Sequence, residues 1–189
     1  MRFLALLLGL LLLAGCAAEP RQVTGPPPTV ASSTAPSPGP APSEPTEIDI
    51  SKIAAHSTLV PLGLNPDGTI QVPPVSTPRQ AGWYSYGPTP GEIGPAVIVG
   101  HVDGNNQKGI FYRLKELAPG DRISVSRKDG SAVVFVVREV DQVDKDAFPE
   151  NLVYGNTSDA ELRLITCGGS FDRTAHSYVD NVIVYAGLA

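Results

Sequence analysis

The sequence predicts a mainly β domain, a closed barrel or a sandwich, preceded by a long stretch with no core to build. Three observations point there. Short β-branched or alternating runs recur along 46–189. Turn chemistry separates them, as in Asn65-Pro66-Asp67-Gly68, Lys128-Asp129-Gly130 and Pro119-Gly120-Asp121. Helical periodicity is confined to one or two brief segments, as in all-β barrels and sandwiches.

The chain opens with a leader. Arg2 supplies a short positive region, and Phe3 to Leu13 form an apolar run. That run is about ten residues long, enough for a signal-peptide core and short of the roughly 20 that span a bilayer. It closes on Leu13-Ala14-Gly15-Cys16, which is similar to the bacterial lipobox. Residues 1–15 then read as a lipoprotein-type signal peptide, with Cys16 freed for a diacylglycerol anchor. The other reading is an ordinary signal peptide cut near Ala17 or Ala18. Acyl chains on Cys16 would hold the protein on the outer face of the cytoplasmic membrane, at about 0.8 kcal/mol per buried methylene.

Residues 16–45 are rich in Pro, Ser, Thr and Ala, with Pro26-Pro27-Pro28 and Pro36-Ser37-Pro38-Gly39-Pro40. With almost no large apolar side chains to bury, this segment is expected to be a disordered, extended linker. Residues 46–189 are one domain's length. The formal net charge of −5 comes without a run of Lys or Arg, which argues against nucleic acid as a partner.

Within the domain, strands are expected at 48–53, 59–64, 69–72, 96–100, 122–127, 132–140, 161–167 and 178–186. Ile110, Leu114 and Leu117 share a face of a two-turn helix over 110–117, and 144–152 allows a short helical turn broken by Pro149.

The chemistry centres on Leu162-Arg163-Leu164-Ile165-Thr166-Cys167-Gly168-Gly169. With Cys16 lipidated, Cys167 is the remaining one of two cysteines and has no disulfide partner. A free thiol in an oxidising compartment asks for a reason. Strand alternation sets Leu162 and Leu164 on one face and Cys167 on the other, so the thiol turns away from the face the leucines bury. A lone cysteine with a histidine elsewhere is a candidate nucleophile and base. His101 ends the run Ala96-Val97-Ile98-Val99-Gly100 and is the first choice. His176, nine residues after Cys167, and His56, in an early connection, rank behind it. No metal-ligand spacing is present, and no cofactor is expected.

Several segments together resemble the sortases, and most closely those of class F. They are Val60-Pro61-Leu62-Gly63-Leu64, Asp67-Gly68-Thr69-Ile70-Gln71-Val72-Pro73, Gly82-Trp83-Tyr84, Pro90-Gly91-Glu92, Gly100-His101-Val102-Asp103, Ile165-Thr166-Cys167-Gly168-Gly169 and Asp180-Asn181-Val182-Ile183-Val184-Tyr185-Ala186. The resemblance covers 46–189. It implies a closed eight-stranded β-barrel with one or two short helices and a cysteine transpeptidase acting as a monomer. Cys167 would attack the Thr–Gly carbonyl of a Leu-Pro-X-Thr-Gly-type sorting signal on a secreted protein. The thioester would pass to an amine, such as one on a peptidoglycan precursor, or to water. His101 would serve as general acid and base, work that needs a group titrating near neutrality.

Sortases also use an arginine near the start of the last strand, and Tyr178-Val179-Asp180-Asn181 has none. Arg173 is the candidate in its place, with Arg163 second, about 13 Å back along the Cys167 strand. Backbone N–H groups around Gly168 are a further source of oxyanion donors. Trp83 and Tyr84 suit the core better than a groove, and Asp103-Gly104-Asn105 reads as a turn whose aspartate could orient His101. A competing function is an inactive sortase-like lipoprotein that binds cell-wall peptides.

Overall fold

The computed structural model describes residues 39–189. The expected signal peptide, Cys16 and most of the linker lie outside them. Eight strands close a barrel: β1 (Pro45–Ile50), β2 (Ala55–Leu62), β3 (Ala81–Tyr84), β4 (Gly94–Gly100), β7 (Arg122–Arg127), β8 (Ala132–Asp144), β9 (Ala160–Asp172) and β10 (Ser177–Leu188). They run in the cyclic order β1-β2-β3-β4-β9-β10-β8-β7. A two-residue ribbon, β5 (Asp103–Gly104) with β6 (Gln107–Lys108), stands apart just after β4. One short helix, α1 (Glu150–Tyr154), and three 3-10 turns complete the elements. The fold class is mainly β, a closed eight-stranded barrel with few helices, as the sequence led us to expect.

Alternation fills the barrel. Ile48, Ile98, Ile123, Phe135, Leu162, Leu164 and Val184 point inward and are fully buried. Each such side chain contributes roughly 1.5–3 kcal/mol of transfer free energy. A second apolar layer lies on the outer face, where Val97, Ile165 and Ile183 are covered by Val153 of α1 and by Phe148. Arg163 shares that outer face and is 4% exposed. Its guanidinium donates to the Leu152 carbonyl at 3.2 Å and to Glu161 at 2.5 Å, and stacks on the Tyr185 ring. It therefore fastens α1 to the barrel wall.

The structure departs from the expected elements in four places. The expected strand 69–72 is absent: only the bridge Leu64–Ile70 forms, closing the Asn65–Gly68 turn. Val72 is exposed there, and Pro73-Pro74 withholds two ladder N–H groups, so the run cannot extend. The third barrel strand is instead Ala81–Tyr84, pairing parallel with β2 and antiparallel with β4. The expected helix over 110–117 is reduced to the 3-10 turn Leu114–Glu116, although Ile110, Leu114 and Leu117 are all buried. The linker, expected to be disordered to residue 45, is held against the barrel from its 39–44 end. There Arg127 donates to the Ala41 carbonyl at 2.5 Å, Asp129 N–H to Ser43 Oγ at 3.1 Å and Lys128 N–H to the Glu44 carbonyl at 2.8 Å.

Candidate active site

Two parallel strands at the centre of the sheet bring the candidate residues together. β4 and β9 pair in one unbroken register, from Gly94 opposite Ala160 to Val99 opposite Ile165. His101 and Cys167 each lie two residues beyond the last pair, Val99 and Ile165. Both residues emerge at one rim of the barrel, and both are half-buried.

Cys167 stands where the regular ladder ends. Asn181 of β10 is its partner, and Asp180 faces Gly168. Between Gly168 and Phe171 the register with β10 shifts, so that Gly169 and Ser170 oppose Val179 alone. This is a β-bulge, and Gly169 takes the left-handed conformation (φ 74°) that its first residue requires. A Cβ on Gly169 would also lie 2.4 Å from Asp180 Oδ2. The thiol thus sits one residue before the last regular pair, Gly168 with Asp180, and two before the bulge. It borders a cavity of about 310 Å³ whose walls include Phe111, Tyr112, Lys115, Gln142, Thr166 and Tyr178.

His101 is held by the segment that succeeds it in the chain and by a connection far upstream. Phe111 N–H donates to the His101 carbonyl at 3.0 Å, and Gly109 N–H to the Val102 carbonyl at 2.8 Å. The segment 103–111 therefore curls back against the residue that ends β4. Gly109 packs so closely that a Cβ there would lie 2.1 Å from the His101 carbonyl oxygen. On the imidazole, Nε2 is 2.6 Å from the carbonyl of Pro73. A carbonyl only accepts, so Nε2 carries a proton in this arrangement and Nδ1 is the nitrogen left to exchange one. In the sequence Pro73 carries no side-chain chemistry that marks it as a site residue; its part here is played by its backbone carbonyl.

The aspartate and tyrosine of the rim form a pair that sequence spacing did not connect. Tyr178 of β10 donates its phenol hydrogen to Asp103 Oδ2 of β5, linking elements 75 residues apart. Its ring meets Phe171 edge-on with centroids 5.2 Å apart. The hydrogen bond to Asp103, then burial, then the negative charges of Asp103 and Cys167 push the Tyr178 phenol up to about 12. Asp103 accordingly serves Tyr178, and no bond from it to His101 is formed. Beyond this bridge a second cavity of about 510 Å³ opens, walled by Asp103, Lys108, Tyr112, Phe171 and Tyr178.

The remaining candidates lie elsewhere. Arg173 comes after the end of β9 in the exposed turn of the β9–β10 hairpin, beyond Asp172, which is itself roughly 16 Å along the strand from Cys167. The structure does not bring Arg173 to the cavity, because the hairpin continues outward past the bulge. Arg163 is committed to α1 as described. His176 is exposed in the same turn as Arg173, and His56 is a surface residue 3.8 Å from Asp49. Trp83 is buried, with Nε1 donating to the Pro88 carbonyl at 3.1 Å. Among the described residues, no group of three or more His, Cys, Asp or Glu side chains could hold a metal ion.

This geometry makes two outcomes testable. Gly109→Ala is expected to displace His101 and lower peptide cleavage by about a hundredfold, with the β-rich circular dichroism retained. Unchanged cleavage would show that the curl of 103–111 does not position the histidine. Tyr178 is expected to remain a neutral donor through the usual tyrosine range near 10 and to ionise only as pH rises through about 12. The stabilisation from its bond to Asp103 is then present below pH 10 and lost as pH rises through that higher value. An ultraviolet titration of tyrosine ionisation should show a late step that Asp103→Asn moves down toward 10. A step that does not move would exclude the pair.

A sortase-domain family model matches residues 48–189. Solved structures share the fold at low identity. Sortase C-1 from Actinomyces oris superposes with a TM-score of 0.59 at 18% identity, over 76% of this chain and 72% of that one. Sortase A from Corynebacterium diphtheriae gives 0.58 at 22%, over 79% and 62%. A sortase D5 transpeptidase from Clostridium perfringens gives 0.56 at 21%, over 78% and 79%. A search of curated protein sequences finds no match. With the family model matching 48–189, well over half of the chain, the chain belongs to the sortases, a family of cysteine transpeptidases.

Proposed function

We propose that this protein is an extracytoplasmic sortase of the class F type that cleaves a Leu-Pro-X-Thr-Gly-type sorting signal through a thioester on Cys167. The observation that carries the reading is the parallel β4–β9 register, whose last pair, Val99 opposite Ile165, stands two residues before each of His101 and Cys167 and so supports their meeting at one rim. The thiol also borders an open cavity of about 310 Å³ with Phe111, Tyr112 and Val182 among its walls, an apolar surface that supports peptide binding there.

In this mechanism the Cys167 thiolate attacks the Thr–Gly carbonyl carbon and forms a tetrahedral oxyanion. The carbon–nitrogen bond then breaks, and protonated His101 gives its Nδ1 proton to the leaving glycine amine. The neutral imidazole next takes a proton from the incoming amine, or from water, as that nucleophile attacks the thioester. Collapse of the second intermediate returns the thiolate and the imidazolium. Pro73 holds the imidazole by Nε2 throughout, which leaves Nδ1 as the travelling nitrogen. The acceptor is an amine such as one on a peptidoglycan precursor. In this reading Cys16 carries a lipid that tethers the protein to the membrane.

One observation favours the inactive alternative: among the described residues, no arginine lines the Cys167 cavity. The two readings separate when the protein is incubated with a Leu-Pro-X-Thr-Gly peptide and a small amine. Cleaved and amine-linked peptide, together with an acyl-enzyme mass on Cys167, are expected, and Cys167→Ala should abolish all of them. Bound but uncut peptide would mark a binding protein. Mass spectrometry of the membrane-associated protein should find diacylglycerol on Cys16; a Cys16→Ala form that still carries acyl chains would refute the anchor.

A further inference from the structure

We propose that Lys115 supplies the positive charge that faces the oxyanion formed at Cys167. The inference rests on the sortase reading above and names a catalytic group for it. An acyl transfer through a thioester builds negative charge on the carbonyl oxygen twice, and donors aimed at that charge lower the barrier most when they are already in place. In this chain the expected arginine positions do not serve. Val179 stands in the stretch where the family places one, Arg173 lies at the hairpin tip, and Arg163 is tied to Glu161 and Leu152.

Lys115 is the cation among the described residues that line the thiol's cavity. Glu116, next to it, also borders this cavity, but its carboxylate is paired: Arg113 donates to Glu116 Oε2 at 3.0 Å through Nε and at 2.6 Å through Nη2. No other described carboxylate comes within ion-pair distance of Lys115. Its backbone is anchored, because Leu114 and Leu117 on either side of the turn are buried in the barrel core. A fixed backbone and an ammonium held in no ion pair are what an electrostatic stabiliser needs.

The other polar groups of the cavity narrow the choice. The Tyr178 phenol is spent on Asp103, and Gln142 Nε2 donates to Asp180 at 2.6 Å. Thr166, only 4% exposed, keeps a hydroxyl that finds no partner among the described residues. Thr166 shares the inward face of Leu162 and Leu164, opposite the thiol, so its hydroxyl is not aimed with Cys167. Lys115 is then the side chain that gives the cavity an anion-receiving side.

An interaction made only in the transition state appears in kcat and leaves KM alone. Lys115→Gln is expected to lower kcat by about a hundredfold with KM within about twofold, and Lys115→Arg to recover most of the loss. A second measurement needs no sorting signal: the rates at which Cys167 is alkylated by anionic iodoacetate and by neutral iodoacetamide. Lys115→Gln should reduce the iodoacetate-to-iodoacetamide ratio at least about threefold, and Lys115→Arg should restore it. An unchanged ratio, or a loss confined to KM, would overturn the assignment. If the unaltered protein turns over no peptide, the sortase reading falls, and the alkylation ratio still decides whether Lys115 acts on charge at the thiol.

Discussion

The parallel pairing of β4 with β9 is the constraint on which the rest of the molecule depends. Both strands are packed on both faces: Ala96, Ile98, Leu162 and Leu164 inside the barrel, Val97 and Ile165 beneath Val153 outside. A slip of one residue would exchange inside for outside along the whole strand, so the register is strongly specified. Parallel neighbours need a long crossover, and here residues 101–159 supply it, including β7, β8 and α1. That detour separates His101 from Cys167 in the chain while the ladder brings them to one rim.

At the rim, regular structure gives way in three places, each with a consequence for the chemistry. The bulge at Gly169 ends the alternation just past the thiol and carries the hairpin outward. The curl of 103–111 fixes the histidine's backbone, and the Pro73 carbonyl fixes its tautomer. The Tyr178–Asp103 bridge divides the space beside the thiol into two cavities that share Tyr112 and Tyr178 as walls. Thioester chemistry has two substrates that arrive in turn, and a divided site is compatible with that sequence of events.

Much of the barrel was legible because strand alternation and turn chemistry are local properties. The run 122–127 coincides with β7, and β8 begins at Ala132 as expected, because Lys128-Asp129-Gly130 forces the reversal between them. Legibility failed where a local signal lacked a partner. Thr69–Val72 has strand-like composition but no neighbouring edge to pair with. Ala81–Tyr84 has too few residues to announce itself, yet finds β2 on one side and β4 on the other. The apolar spacing of Ile110, Leu114 and Leu117 truly marked buried positions, but the backbone there bonds back to His101 and Val102 instead of winding a helix.

By itself the sequence determined the fold class and the inward and outward faces of the Cys167 strand, and it singled out His101 and Cys167 as candidates. Those features come from side-chain period and residue chemistry, which a linear chain displays openly. Only the tertiary structure decided what surrounds the thiol. Arg163 looked available on the cysteine's face until α1 covered it, and Arg173 looked adjacent until the bulge and hairpin carried it away. Lys115, Pro73 and the Tyr178–Asp103 pair come from distant segments, and nothing in their spacing joins them. Barrel closure brings them together, and closure is a property of all eight strands at once.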